Sequence, residues 1–176
     1  YLNKGNFKFE DISKKSKITR SPGWSWGVTM ADVNNDGYLD IYVSRNGDSM
    51  TPSDRTNKLF INNKDLTFTE SAKEYGLADA GFSSQAVFFD MDNDGDLDMY
   101  QVNQLPDGRL FSRYINIPEK RYQFYTDKLY INNDGFFQDI SQQAGLSSKY
   151  TYGLSVSASD FNNDGFVDLY ISNDYD

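Results

Sequence analysis

The chain contains no cysteine and no histidine. Without cysteine there is no disulfide framework and no thiolate metal site. Without histidine, the commonest general base and the commonest transition-metal ligand are missing. Any metal held here is therefore a hard cation bound through oxygen. No apolar run approaches the roughly 18 residues needed to cross a bilayer, so no membrane span is expected. Positive charge is also scarce. The 17 Lys and Arg stand against 26 Asp and Glu, a formal net charge of -9. That balance argues against nucleic acid as a partner, because phosphate binding needs a basic face. It is compatible with cations. The first residue is Tyr1 and no signal peptide is visible, so a processed or excised piece of a longer protein is expected.

What is present points to a packed domain. Apolar residues make up 38% of the 176 residues and aromatics 16%, with 13 Tyr and 13 Phe. That is enough for a core and too much for a disordered chain. Proline is sparse, whereas Gly, Asn and Asp are frequent, a mix that suits strands separated by turns.

Three motifs recur in one order. The first is acidic: Asp32-Val-Asn34-Asn-Asp36-Gly37-Tyr38-Leu-Asp40, Asp90-Met-Asp92-Asn-Asp94-Gly95-Asp96-Leu-Asp98 and Asp160-Phe-Asn162-Asn-Asp164-Gly165-Phe166-Val-Asp168. These copies start 58 and then 70 residues apart. The second is Lys58-Leu-Phe-Ile-Asn-Asn63, matched by Lys128-Leu-Tyr-Ile-Asn-Asn133, with Tyr1-Leu2-Asn3 as the tail of another copy. The third is Phe7-Lys-Phe-Glu-Asp-Ile-Ser13, Leu66-Thr-Phe-Thr-Glu-Ser71 and Phe136-Phe-Gln-Asp-Ile-Ser141.

Each unit reads as four short strands: Val28 to Asp32, Tyr38 to Ser44, Leu59 to Asn62 and Thr67 to Ser71 in the first. Single helical turns are expected near Ala72 to Tyr75 and Gln142 to Ala144. Four antiparallel strands in about 60 residues is the size of a β-propeller blade. The expected fold class is thus all-β, built of such blades. Residues 24–72 and 82–141 are two full blades, 1–13 the end of a preceding one and 150–176 the start of a following one. Two blades do not close a ring, so the rest of the propeller is expected in the parent chain.

The acidic motif has a chemical reading. Oxygen-bearing side chains stand at positions 1, 3, 5 and 9, and Gly at 6 permits a sharp turn. The residue at 7 can offer its backbone carbonyl. Crowded carboxylates make sense when a cation neutralises them, and three loops imply about three Ca2+ ions. The expected side-chain ligands are Asp32, Asn34, Asp36 and Asp40; Asp90, Asp92, Asp94 and Asp98; and Asp160, Asn162, Asp164 and Asp168. The expected carbonyl ligands are those of Tyr38, Asp96 and Phe166. An EF-hand is disfavoured. Its position 12 holds a bidentate Glu, whereas Val43, Gln101 and Ile171 stand here, and a strand follows the loop.

Loop, Lys-Leu-(Phe/Tyr)-Ile-Asn-Asn motif and the Phe-rich motif together resemble the FG-GAP/VCBS repeats, closest to the type found with ASPIC/UnbV modules. Integrin α-subunit propellers belong to the wider group. The Gly-Ala-Pro triplet of that group is absent, its Phe-Gly pair survives only as Trp26-Gly27, and no ASPIC/UnbV module is visible. The resemblance implies a propeller of about seven blades, Ca2+ in the loops, and recognition, adhesion or scaffolding outside the cytoplasm. The expected location is extracellular, cell-surface or periplasmic, in a bacterium.

The extra length of the second unit falls in residues 104–126. Arg109, Arg113, Lys120 and Arg121 stand there beside Phe111, Tyr114, Tyr122, Phe124 and Tyr125. That mix suits a protein or glycan ligand, or simply covers a blade edge. Trp24 and Trp26 suit packing between blades better than stacking on a sugar. The alternative function is a propeller-type polysaccharide lyase or hydrolase using Ca2+ structurally. No acid/base pair stands out for it among the acidic residues left once the 11 of 26 in the three loops are set aside.

Overall fold

The computed structural model describes residues 1–18, 23–47, 51–105, 123–146 and 152–174. The fold is all-β. Strands β1 (Leu2–Asn3) and β2 (Phe9–Glu10) form a small hairpin, followed by a four-residue helix α1 (Ser13–Ser16). The first large sheet contains β3 (Trp24–Ala31), β4 (Asp40–Asn46), β5 (Lys58–Asn62) and β6 (Phe68–Glu70), with the short helix α2 (Pro52–Arg55) between β4 and β5. The second contains β7 (Ser83–Phe89), β8 (Asp98–Asn103), β9 (Lys128–Asn133) and β10 (Phe136–Asp139). Strands β11 (Gly153–Ser159) and β12 (Asp168–Asn173) form a last pair. Within each sheet the strands follow chain order and every pairing is antiparallel. This is the propeller-blade pattern.

Alternating β-formers give each sheet two faces. Thr29, Tyr42 and Leu59 align across β3, β4 and β5, and this row faces the second sheet. Tyr42 and Leu59 pack there with Leu77, Ala86, Met99, Tyr130 and Phe137. On the far side of the second sheet, Phe89, Tyr100, Val102 and Leu129 pack with Val156 of β11 and with Leu169 and Ile171 of β12. The cores therefore lie between successive sheets. Each large side chain buried in them is worth about 1.5–3 kcal/mol.

The first strands of successive sheets, β3, β7 and β11, lie side by side. Each carries a register shift at the same place, between Ser25 and Gly27, Ser83 and Gln85, and Gly153 and Ser155. The approach is close. Thr29 Oγ1 donates to Ala86 O at 2.6 Å, and Ser84 Oγ to Gly153 O at 3.0 Å. A Cβ on Gly27 would lie 2.3 Å from Ser84 O.

Away from the acidic loops, polar side chains replace the apolar core. Gln101 accepts from Tyr42 Oη at 2.7 Å and from Asn57 Nδ2 at 2.9 Å, and donates to Ser83 Oγ at 2.7 Å. Asn57, Ser83 and Gln101 are fully buried, and these bonds meet the demand such groups impose. Lys128 Nζ reaches Asp79 Oδ1 at 2.6 Å, tying the connection after β6 to the second sheet. The Arg55 guanidinium stacks 4.1 Å from the centre of the Phe82 ring, which stacks in turn on Tyr125 at 5.2 Å.

Tyr75 N donates to Ser71 O and Ala144 N to Ile140 O, the single helical turns expected from sequence. Arg109, Phe111, Arg113, Tyr114, Lys120, Arg121 and Tyr122, named above as either a ligand contact or a cover for a blade edge, lie outside the described residues. Tyr125 is buried against Phe82, so this residue is structural. Trp24 and Trp26 are 56% and 55% exposed, and are not sandwiched between the described sheets.

Gly27→Ala tests the sheet-to-sheet approach. The added methyl meets backbone, which cannot swing away, so a loss of about 1–3 kcal/mol is expected. Thermal unfolding of the two proteins under identical conditions measures it.

Candidate metal sites

The acidic motifs form the connections β3–β4, β7–β8 and β11–β12. One hydrogen-bond scheme builds all three. The first aspartate uses both oxygens to hold the backbone amides at positions 5 and 6. Asp32 Oδ1 accepts from Asp36 N at 2.9 Å and Oδ2 from Gly37 N at 2.7 Å. Asp90 does the same for Asp94 and Gly95, at 3.2 and 3.1 Å, and Asp160 for Asp164 and Gly165, at 3.2 and 2.9 Å. The carboxylate at position 5 then accepts the amide at position 7: Asp36 from Tyr38, Asp94 from Asp96 and Asp164 from Phe166. Such a tight winding needs left-handed backbone. Asn35, Asn93 and Asn163 at position 4 have φ of 55°, 61° and 59°, and the following glycines have φ of 86°, 95° and 90°. Asn and Gly are the residues that tolerate this region.

Position 9 closes the loop. Asp40 Oδ2 accepts from Val33 N at 3.1 Å, Asp98 Oδ2 from Met91 N at 2.8 Å and Asp168 Oδ2 from Phe161 N at 2.9 Å. In the two large sheets the other oxygen reaches the third strand. Asp40 Oδ1 accepts from Asn62 N and Asp98 Oδ1 from Asn132 N, both at 2.8 Å. The same asparagines donate through Nδ2 to Leu39 O and Leu97 O, at 3.1 and 3.2 Å. Asn62 and Asn132 are thus loop-supporting residues that the ligand pattern alone does not reveal. Their signal in the sequence is the Asn-Asn motif, which keeps step with the acidic one.

The structure brings some of the expected ligands together. Ligand oxygens of Asp90, Asp92 and Asp98 all lie within 4.8 Å of one another. Asp94 is exposed and engaged with the Asp96 amide. In the first and third loops the side chain at position 3 is an amide: Asn34 Nδ2 donates to Asp36 Oδ2 at 3.3 Å, and Asn162 Nδ2 to Asp164 Oδ2 at 2.9 Å. Tyr38 and Phe166 point outward, both about half exposed. The loops are neighbours: Asn93 Nδ2 of the second donates to Gly165 O of the third at 3.1 Å. A cleft of about 630 Å³ separates the first from the second, lined by Asp32, Asn34, Asp96 and Tyr75 among others.

The donor set fits a hard cation. Asn34 Oδ1 and Asp96 Oδ1 are buried oxygens with no hydrogen-bond donor on them, and buried acceptors are normally satisfied. The charge is crowded as well. Burial, then the carboxylates of Asp94, Asp98, Asp92 and Asp90, push the Asp96 carboxyl up to about 6. Burial also raises Asp40 and Asp98, against the pull of the backbone amides they accept. The first loop differs in one respect. Lys64 Nζ lies 3.4 Å from Asp36 Oδ2 and 5.1 Å from the centre of the Tyr38 ring. The equivalent residue in the second unit is Asp134, of opposite charge.

The FG-GAP-like repeat model matches residues 1–43, 47–100 and 121–171. The chain belongs to the FG-GAP-like repeat family. No curated protein matches it. Each matched FG-GAP-like segment ends in or just after the strand that leaves an acidic loop, β4, β8 or β12. The FG-GAP-like repeat is thus out of step with the sheet by two strands. Each copy supplies the outer strands of one sheet and the inner strands of the next, so consecutive sheets are joined covalently. The Asn-Asn and acidic motifs that build one loop come from different copies.

Raised carboxyl values set a pH signature. A carboxyl raised in the folded state adds stability below its unfolded value, and that stability is lost as pH rises through the folded value. For Asp96 this window runs from 3.8 to about 6. Asp11, Asp65 and Asp160 shift the other way, held down chiefly by Ser13, Thr67 and the Gly165 amide, and act below 3.8. In chelator the melting temperature should therefore rise as pH falls from 7 towards about 5. A fall in chelator over that range would refute the crowding.

Proposed function

We propose that the chain is a calcium-binding propeller module whose three acidic loops each hold one Ca2+, and that it serves recognition, adhesion or scaffolding outside the cytoplasm. The carrying observation is the convergence of Asp90, Asp92 and Asp98 in a loop whose remaining oxygens are oriented by backbone amides. Oxygen-only donors at alternate positions suit Ca2+, which takes six to eight oxygens at 2.3–2.6 Å. In the second loop Asp90, Asp92, Asp94 and Asp98 with the Asp96 carbonyl would hold the ion. In the first, Asp32, Asn34, Asp36, Asp40 and the Tyr38 carbonyl would do so; in the third, Asp160, Asn162, Asp164, Asp168 and the Phe166 carbonyl. The ion supplies positive charge where the fold has crowded negative charge. It acts in stability and shape rather than in chemistry.

The recognition role rests on the family and on the surface. Among the described residues no helix is long and apolar enough to cross a membrane. Half-exposed Trp24 and Trp26 give a protein or glycan ligand something to hold, and the sequence of 106–122 adds Arg109, Arg113, Lys120 and Arg121 with Phe111, Tyr114 and Tyr122. Blades of this type close into rings, with about seven blades expected in the parent protein.

The second loop should be the tightest site. It carries five aspartates, and the first and third carry three each. Calorimetric Ca2+ titration should show about three sites, with chelator lowering the melting temperature and Ca2+ restoring it. Asp92→Ala should weaken the tightest step by about tenfold or more, since it removes a carboxylate ligand. Absence of any Ca2+ binding by the unmodified chain would refute the reading.

Lys64 competes with an ion for Asp36. Lys64→Met should strengthen the weaker phase of Ca2+ binding, by at most about fivefold, because the pair is exposed. An unchanged titration would show that Lys64 leaves Asp36 free in solution.

A further inference from the structure

The described residues contain five Asx–Gly steps: Asp36–Gly37, Asn46–Gly47, Asp94–Gly95, Asp134–Gly135 and Asp164–Gly165. Such steps are chemically fragile, because a glycine nitrogen can attack the side-chain carbonyl carbon of the residue before it. Four of these glycine nitrogens are held elsewhere. Gly37, Gly95 and Gly165 donate to Asp32, Asp90 and Asp160, and Gly135 donates to Asn132 Oδ1 at 2.9 Å. Gly47 differs. Its N–H donates at 2.6 Å to Oδ1 of Asn46, so the acceptor is the side-chain carbonyl whose carbon it would attack. The amide nitrogen that would leave, Asn46 Nδ2, is buried and has no acceptor to hold it. Gly47 is free of side-chain bulk and has φ of +125°, with the Trp24 ring 3.3 Å from where a Cβ would sit.

We infer that Asn46–Gly47 is a site of spontaneous covalent modification, at which the folded chain converts an asparagine to aspartate or isoaspartate. The step balances without an oxidant. Water or hydroxide takes the proton from Gly47 N, and the nitrogen forms a bond to Asn46 Cγ. The Cγ–Nδ2 bond breaks and ammonia leaves with a proton from water. A water molecule then opens the five-membered succinimide at either carbonyl. The reacting groups are already juxtaposed, which is the condition for an intramolecular reaction to be fast.

Incubation of the folded chain in mildly alkaline H2(18)O, followed by peptide mass spectrometry, tests this. The peptide containing Asn46 should lose ammonia and gain (18)O faster than any peptide holding Asn35, Asn93 or Asn163. Its rate should be within about tenfold of that of the urea-unfolded chain. In Asn46→Gln the label should vanish from this peptide, because the larger ring forms more slowly. If Asn46 stays an amide in the folded chain while the unfolded chain is labelled, the fold protects the step and the inference is wrong. Labelling of the Asn35, Asn93 or Asn163 peptides ahead of Asn46 would overturn it equally.

Discussion

A carboxylate at the end of each acidic loop organises the units. Asp40 and Asp98 are 0% and 1% exposed. Burying an ion is costly unless it is well bonded, and each of these receives two backbone amides, one from its own loop and one from the third strand of its sheet. That pair of bonds fixes where the loop ends, where the second strand begins and how the third strand registers against it. In the last unit Asp168 is half-buried and holds only the loop amide among the described residues.

The same carboxylates create a conflict. The backbone amides wind the second loop so that Asp90, Asp92 and Asp98 stay close, and the amides alone leave buried oxygens unsatisfied on Asn34 and Asp96. A cation in the proposed sites would offset the crowded charge. The polar layer at the other end of the sheets solves its problem internally, since Gln101, Asn57, Ser83 and Tyr42 satisfy one another. That layer is closed on itself, although Arg45 Nη2 and Asn46 Nδ2 near the same end have no hydrogen-bond partner. The offset of the repeat against the sheet means that the first two loops each join elements from two copies.

Much of this was legible in the sequence. Alternation and motif order reveal the four-stranded units, and the odd-numbered oxygens reveal the loops. The support from Asn62 and Asn132 was not legible, because a backbone amide bonded across 34 residues has no local signature. Lys64 has no signal in the sequence, yet it stands against Asp36, because the β5–β6 turn folds back over the first loop. The polar layer was hidden too. Gln101 and Asn57 look like surface residues until the sheets are stacked, and their burial depends on partners 44 residues apart. Trp24 and Trp26 are half exposed, and no described sheet covers them.

The central claim is that Asp40 and Asp98 hold the loops in shape before any ion arrives. Amide hydrogen exchange in excess chelator tests this most directly, read at Val33, Met91, Asn62 and Asn132. The account predicts strong protection at all four without Ca2+, well above that of exposed amides such as Asp96. Exchange at unfolded rates in chelator, with protection gained only on adding Ca2+, would contradict it. The ion, rather than the buried carboxylates, would then build the loop.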